Sequence, residues 1–154
     1  MLIAVSQINF IVGDLRGNAA KIEAHARRAQ AAGAGLLVTS ELGLCGYPPE
    51  DLVLRDSFIS DCDSALQALA RACNGVAVLV GHPVRAQSGR YNAVSLLRGG
   101  EVAATGYKMR LPNDSVFDEQ RYFEPGSTPL VFDLDGVRFG VPICQDIWEQ
   151  GPAE

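Results

Sequence analysis

Leu36-Leu37-Val38-Thr39-Ser40, set between Gly35 and Glu41, is the stretch on which the fold turns. It is apolar, too short for a helix and β-branched at Val38 and Thr39, so it reads as a buried strand. Upstream, Ala19, Ile22, Ala26 and Ala29 recur at helical spacing, with Lys21, Glu23, Arg27, Arg28 and Gln30 on the other faces. Asn18, in the turn 13–18, stands where a helix cap is expected, and Gly33 and Gly35 end the helix. Residues 2–8 form an earlier apolar run, expected to be another buried strand. Strand, helix, strand implies a right-handed βαβ unit with a parallel pair.

Working outward, residues 41–51 form a loop of glycines and a double proline. Ile59, Cys62, Leu66, Leu69 and Cys73 then mark one face of a second helix, and residues 75–81 a third strand. Residues 91–97 and 101–107, joined through Gly99-Gly100, read as an antiparallel hairpin. Residues 130–134 and 137–143, joined through Asp135-Gly136, read as another. The expected fold class is α/β: a mixed β-sheet with helices on one face. The opposite face then needs something to pack on.

With 154 residues and 47% hydrophobic content the chain suits a single domain with a real core. It carries 18 acidic against 13 basic residues, and no basic run is longer than Arg27-Arg28. No nucleic-acid partner is expected from such a balance. No apolar stretch is long enough for a bilayer, and the N-terminus lacks a charged secretory start, so no membrane and a cytoplasmic location are expected. The four cysteines form no CxxC pair, and His25 and His82 are isolated, so no metal site is expected. No phosphate-loop motif occurs. His82, ahead of Pro83, reads as a loop residue, and a Cys–His dyad through it is the lesser reading.

Three reactive side chains directly follow predicted strands: Glu41, Lys108 and Cys144. Ligands in open α/β sheets bind at the carboxyl ends of strands. Were these ends neighbours, a carboxylate, an ammonium and a thiol would meet at one mouth, the material of nucleophilic attack on a carbonyl. A strand-end Glu or Lys alone is ordinarily a solvated charge, and cysteine is often a small core residue. Cys62 and Cys73, on the helical stripe, and Cys45, in the loop, read as structural.

At these residues the chain resembles the nitrilase, or carbon-nitrogen hydrolase, superfamily, with its Glu-Lys-Cys triad. Ser40-Glu41-Leu42 with Gly46-Tyr47-Pro48-Pro49-Glu50-Asp51-Leu52 is similar to the glutaminase domains of glutamine-dependent NAD⁺ synthetases. So are Lys108-Met109-Arg110-Leu111-Pro112-Asn113, Val116-Phe117-Asp118-Glu119, Arg121-Tyr122-Phe123 and Val141-Pro142-Ile143-Cys144-Gln145-Asp146-Ile147-Trp148. The resemblance implies an αββα sandwich and hydrolysis of L-glutamine through a thioester on Cys144. It implies Glu41 as general base, Lys108 as oxyanion holder, Glu119 as support, and Tyr47 and Phe117 as substrate-lining residues. Asp114 stands where the family commonly has tyrosine; it keeps the place of a substrate-binding candidate but offers no aromatic wall.

The family's sandwich continues past the cysteine. The chain is therefore expected to be the N-terminal part of its domain (1–154), inactive and poorly stable or associating alone. The resemblance implies no cofactor in this segment, ATP and Mg in an absent synthetase domain, and a homo-oligomeric full enzyme. The alternatives are a stand-alone nitrilase-type amidase or carbamoylase, and an inactive truncated structural or interaction module.

Overall fold

The computed structural model describes residues 1–86, 89–148 and 151. Five strands form one sheet in sequence order: β1 (Ile3–Val5), β2 (Leu36–Val38), β3 (Ala77–Ala86), β4 (Gly89–Arg98) and β5 (Glu101–Tyr107). The first three are mutually parallel, and β3–β4 and β4–β5 pair antiparallel. The carboxyl ends of β2, β3 and β5 therefore point the same way.

Helices α1 (Leu15–Ala31) and α2 (Asp56–Ala72) cover one face. Ile22, Ala26 and Ala29 from α1 and Leu66, Leu69 and Ala70 from α2 pack on Leu37, Val78, Val80 and Leu97. The expected stripe of the second helix is buried throughout, including Cys62 and Cys73. The opposite face is met by a separate two-stranded sheet, β6 (Leu130–Leu134) and β7 (Val137–Val141). Leu130, Phe132, Leu134 and Ile143 lie on Leu36, Ala77, Leu79, Val94 and Leu96. The second hairpin is thus a layer over the sheet rather than a further part of it.

Four expectations are corrected. β1 is not buried: it is an edge strand, the hairpin packs on β2 to β5, and Ile3 and Val5 remain exposed. Asn18 is not the cap of α1. Asp14 is, its carboxylate accepting from Gly17 N, while Asn18 lies fully buried inside the helix. Its side chain accepts from Ile11 N and donates to the carbonyls of Ile11 and Leu44, pinning the loops at the sheet's end. The third strand runs on to Ala86, and His82 sits inside it, not in a loop. β2 pairs with β3 only from Ala77 to Leu79, so beyond that point β3 has one neighbour, and Pro83 there sacrifices no ladder bond on its open side.

Buried His82 hydrogen-bonds Ser95 Oγ at 2.7 Å, and Ser95 meets Thr105 Oγ1 at 2.7 Å, a polar line across β3, β4 and β5. Burial pushes the imidazole from 6.5 down to about 4, so the fold holds it neutral. The unfolded chain takes up this proton first as pH falls. Stability is therefore full above pH 6.5 and declines towards pH 4, by roughly 2 kcal/mol at pH 5. Denaturant unfolding at pH 7 and pH 5 should show this difference in the native chain and lose it in His82→Gln.

Candidate active site

Glu41 leaves β2 in a tight turn laid across β3. Gly81 permits that crossing: a Cβ there would stand 2.5 Å from Leu42 N and 2.6 Å from Ser40 O. Leu44 N donates to Gly81 O at 3.0 Å, locking the turn down. Leu42 holds φ at 50° although fully buried, a backbone state that costs energy and that the surrounding packing enforces.

Lys108 directly follows β5, its N–H donating to Asn92 O and its carbonyl accepting from Gly126 N, both at 2.8 Å. The side chain is fully buried. Its ammonium donates to Glu41 Oε1 at 2.6 Å and Glu119 Oε1 at 2.7 Å. Glu119 sits in a short 3-10 turn, Glu119–Arg121, with its N–H on Pro112 O. Burial alone would lower the Lys108 pKa, but the carboxylates outweigh it and hold the ammonium above its ordinary value. Burial raises Glu119, against the pull of Lys108.

Cys144 opens a 3-10 turn, Cys144–Ile147, at the exit of β7, and is the exposed one of the four thiols. Its φ of 46° is a left-handed conformation rare for a residue with a side chain. The thiol shares a cavity with Glu41 and senses its charge and those of Lys108 and Glu119. Burial first, and the Glu41 carboxylate second, push it above its usual value, with Lys108 opposing. Two carboxylates around one ammonium leave a net negative cluster, so the resting sulfur keeps its proton and stands next to a group able to take it.

The three strand-end residues are thus brought together, with Glu119 added. Tyr47 and Phe117 line one cavity of about 150 Å³ with Glu119, and Tyr47 is half exposed. Its hydroxyl is pushed up to about 12 by burial and then by Glu41 and Glu119. Asp114 lies elsewhere, in a separate cavity of about 600 Å³ with Arg110, Gln120 and Gln145. A third cavity, about 130 Å³, is lined by Glu41, Cys144, Leu79 and Val94.

Sequence reasoning missed two residues. Asn92, fully buried in β4, donates from Nδ2 to Glu41 Oε1 at 2.7 Å. Nothing in the run 91–97 marked it except a polar side chain at an inward position. Asp146, also buried, was quoted only as part of a motif, and its carboxylate collects three backbone N–H groups.

The family model for carbon-nitrogen hydrolases matches residues 2–150. The chain belongs to the carbon-nitrogen hydrolase family. Among relatives of this carbon-nitrogen hydrolase, the glutamine-dependent NAD(+) synthetase of Xylella fastidiosa is 44% identical over 97% of the chain and 28% of the relative. That of Thermotoga maritima is 42% identical over 95% of the chain and 26% of the relative. The chain therefore spans little more than a quarter of the length of these curated relatives. The solved structure of the glutamine-dependent NAD+ synthetase from Acinetobacter baumannii, in complex with ADP, superposes with a TM-score of 0.90 at 34% identity, over 95% of the hydrolase chain and 28% of that chain. An amidase from Nesterenkonia sp. superposes at 0.79 with 28% identity, over 92% and 54% of the two chains. Among the described residues, no helix is long and apolar enough to cross a membrane.

Proposed function

We propose that this chain forms the amide-hydrolysing site of a glutamine-dependent NAD⁺ synthetase, with Cys144 as nucleophile, Glu41 as general base and Lys108 as oxyanion donor. The observation that carries the reading is the buried Lys108 ammonium shared between Glu41 and Glu119 beside an exposed Cys144. Glutamine as substrate is supported by the 44% identity to enzymes named for it.

In the first half-reaction Glu41 takes the Cys144 proton as sulfur attacks the glutamine side-chain amide carbon. Two of the three Lys108 N–H bonds are spent on Glu41 and Glu119. The third is offered to the oxygen that becomes negative, an effect worth roughly 3 kcal/mol per donor. The C–N bond breaks, Glu41 returns its proton to the departing nitrogen, and ammonia leaves a thioester. In the second half-reaction Glu41 deprotonates water, which attacks the thioester and releases glutamate and the thiol. Asn92 and Lys108 both occupy Oε1 of Glu41, so Oε2 is the atom assigned to proton transfer. Tyr47 and Phe117 line the approach, and Asp114, outside that cavity, contributes through its own.

In the full enzyme the ammonia would feed an ATP- and Mg²⁺-dependent conversion of nicotinic acid adenine dinucleotide to NAD⁺, in a cytoplasmic homo-oligomer. Among the described residues no group of three His, Cys, Asp or Glu is placed to hold a metal ion.

The test is intact-mass spectrometry and peptide mapping after exposure to an electrophilic glutamine analogue and, separately, to acrylamide. One analogue adduct on Cys144 is expected. Burial raises the Cys62 and Cys73 thiols to about 12 and about 11, and raises Cys45 further, so these should stay unlabelled. An adduct on any of them would remove Cys144 as nucleophile. Capture of acrylamide without capture of the analogue would show a reactive thiol with no glutamine pocket, and would remove glutamine as the substrate. A second reading, hydrolysis of small amides, is favoured by the likeness to the Nesterenkonia amidase, a mutant of which bears acrylamide added to its active-site cysteine.

A further inference from the structure

Asp146 stands two residues beyond Cys144 and is 1% exposed. Its Oδ1 accepts from Met109 N at 3.0 Å and Arg110 N at 2.7 Å, the two residues after Lys108. Its Oδ2 accepts from Ile143 N at 3.0 Å, the residue before Cys144, and its own N–H donates back to Ile143 O at 3.1 Å. One buried carboxylate therefore ties the exit of β5 to the exit of β7. The segment it closes holds Cys144 at a φ of 46°. Charge-assisted bonds to three N–H groups can hold such a conformation, which no side chain at Cys144 itself enforces.

We propose that Asp146 is a positioning residue, a carboxylate brace that fixes the Cys144 sulfur against Glu41 and Lys108. It makes no contact of its own with the ionisable groups around the thiol, which are Glu41, Lys108, Glu119 and Tyr47. It acts by setting their distance from the sulfur. The inference deepens the proposed hydrolase site but does not depend on glutamine as its substrate.

The test follows the rate of iodoacetamide alkylation at Cys144 against pH, in the unmodified chain and in Asp146→Ala and Asp146→Asn. Held by the brace, the thiol titrates high because it is enclosed and faces Glu41. In Asp146→Ala the alkylation midpoint should fall towards that of an ordinary cysteine. Capture of the glutamine analogue should slow by roughly tenfold to a hundredfold, the scale of loss when a reacting group is displaced by about an ångström. Asp146→Asn keeps an oxygen for Met109 and Arg110 but turns an amide donor towards Ile143 N–H, so the same change is expected to a smaller extent. Continued protection of Cys45, Cys62 and Cys73 reports an intact fold; should Asp146→Ala expose them, Asp146→Asn decides. An unchanged Cys144 profile in the folded variants would overturn the brace, whatever their loss of stability. A raised profile in the unmodified chain without analogue capture would instead count against glutamine alone.

Discussion

Lys108→Ala is expected to destabilise the folded chain by about 3–5 kcal/mol at neutral pH, the range for removing one partner of a buried ion pair. The side chain is fully enclosed, and its ammonium bonds Glu41 Oε1 and Glu119 Oε1 at 2.6 and 2.7 Å. Without it, two carboxylates bonded to the same nitrogen are left facing one another with little water, Glu119 at 8% exposure. A lost methylene stem would matter equally at every pH; stranded charge would not. The deficit should therefore narrow as pH falls into the carboxylate range, because the folded variant then binds a proton more readily than its unfolded chain. Adding Glu119→Gln to Lys108→Ala should restore part of the loss by removing one of the two charges. Denaturant titrations of the three chains between pH 4 and pH 8 measure all of this. A deficit that is flat across pH and insensitive to Glu119→Gln would mean that Lys108 matters only as packing.

In the full-length enzyme, Glu41→Gln is expected to slow ammonia release from glutamine by roughly 10²–10⁴-fold, the usual loss when a positioned base is removed. The amide oxygen can still accept from Lys108 and Asn92, so the scaffold is largely kept. What disappears is the proton acceptor beside Cys144. The same substitution removes a negative charge that holds the thiol protonated. Simple alkylation of Cys144 should consequently become faster below pH 8 while amide hydrolysis collapses. Parallel losses in both reactions would indicate a displaced cysteine rather than a missing base.

Much of this arrangement was legible before any coordinates. Strand exits could be located from apolar runs, and that placed Glu41, Lys108 and Cys144 each directly after a strand. Their convergence needed the strand order, which spacing alone does not contain; Glu119, eleven residues beyond Lys108, came only through resemblance. His82-Pro83 concealed the second half of β3, because proline normally speaks against a strand and only the short reach of β2 makes it harmless there. Asn18 looked like a cap because Asn is a good one; a buried helix-interior amide serving two loops has no local signature. Asp146 was hidden for the same reason, since its partners include residues 36 and 37 positions away.

Those separations bear on the order of folding. The Glu41–Lys108 ion pair spans 67 residues and the Asn92–Glu41 bond 51. Contacts between such distant positions form only once the intervening chain has closed, and they give no early reward for doing so. Local helices and the tight β3–β4 hairpin can exist without them. A partly folded or newly made chain thus carries Cys144 as a lone thiol with no base beside it and no ammonium to steady an oxyanion. Chemical competence arrives last, as a property of the finished sheet, and an incomplete chain has no means of attacking the amides around it.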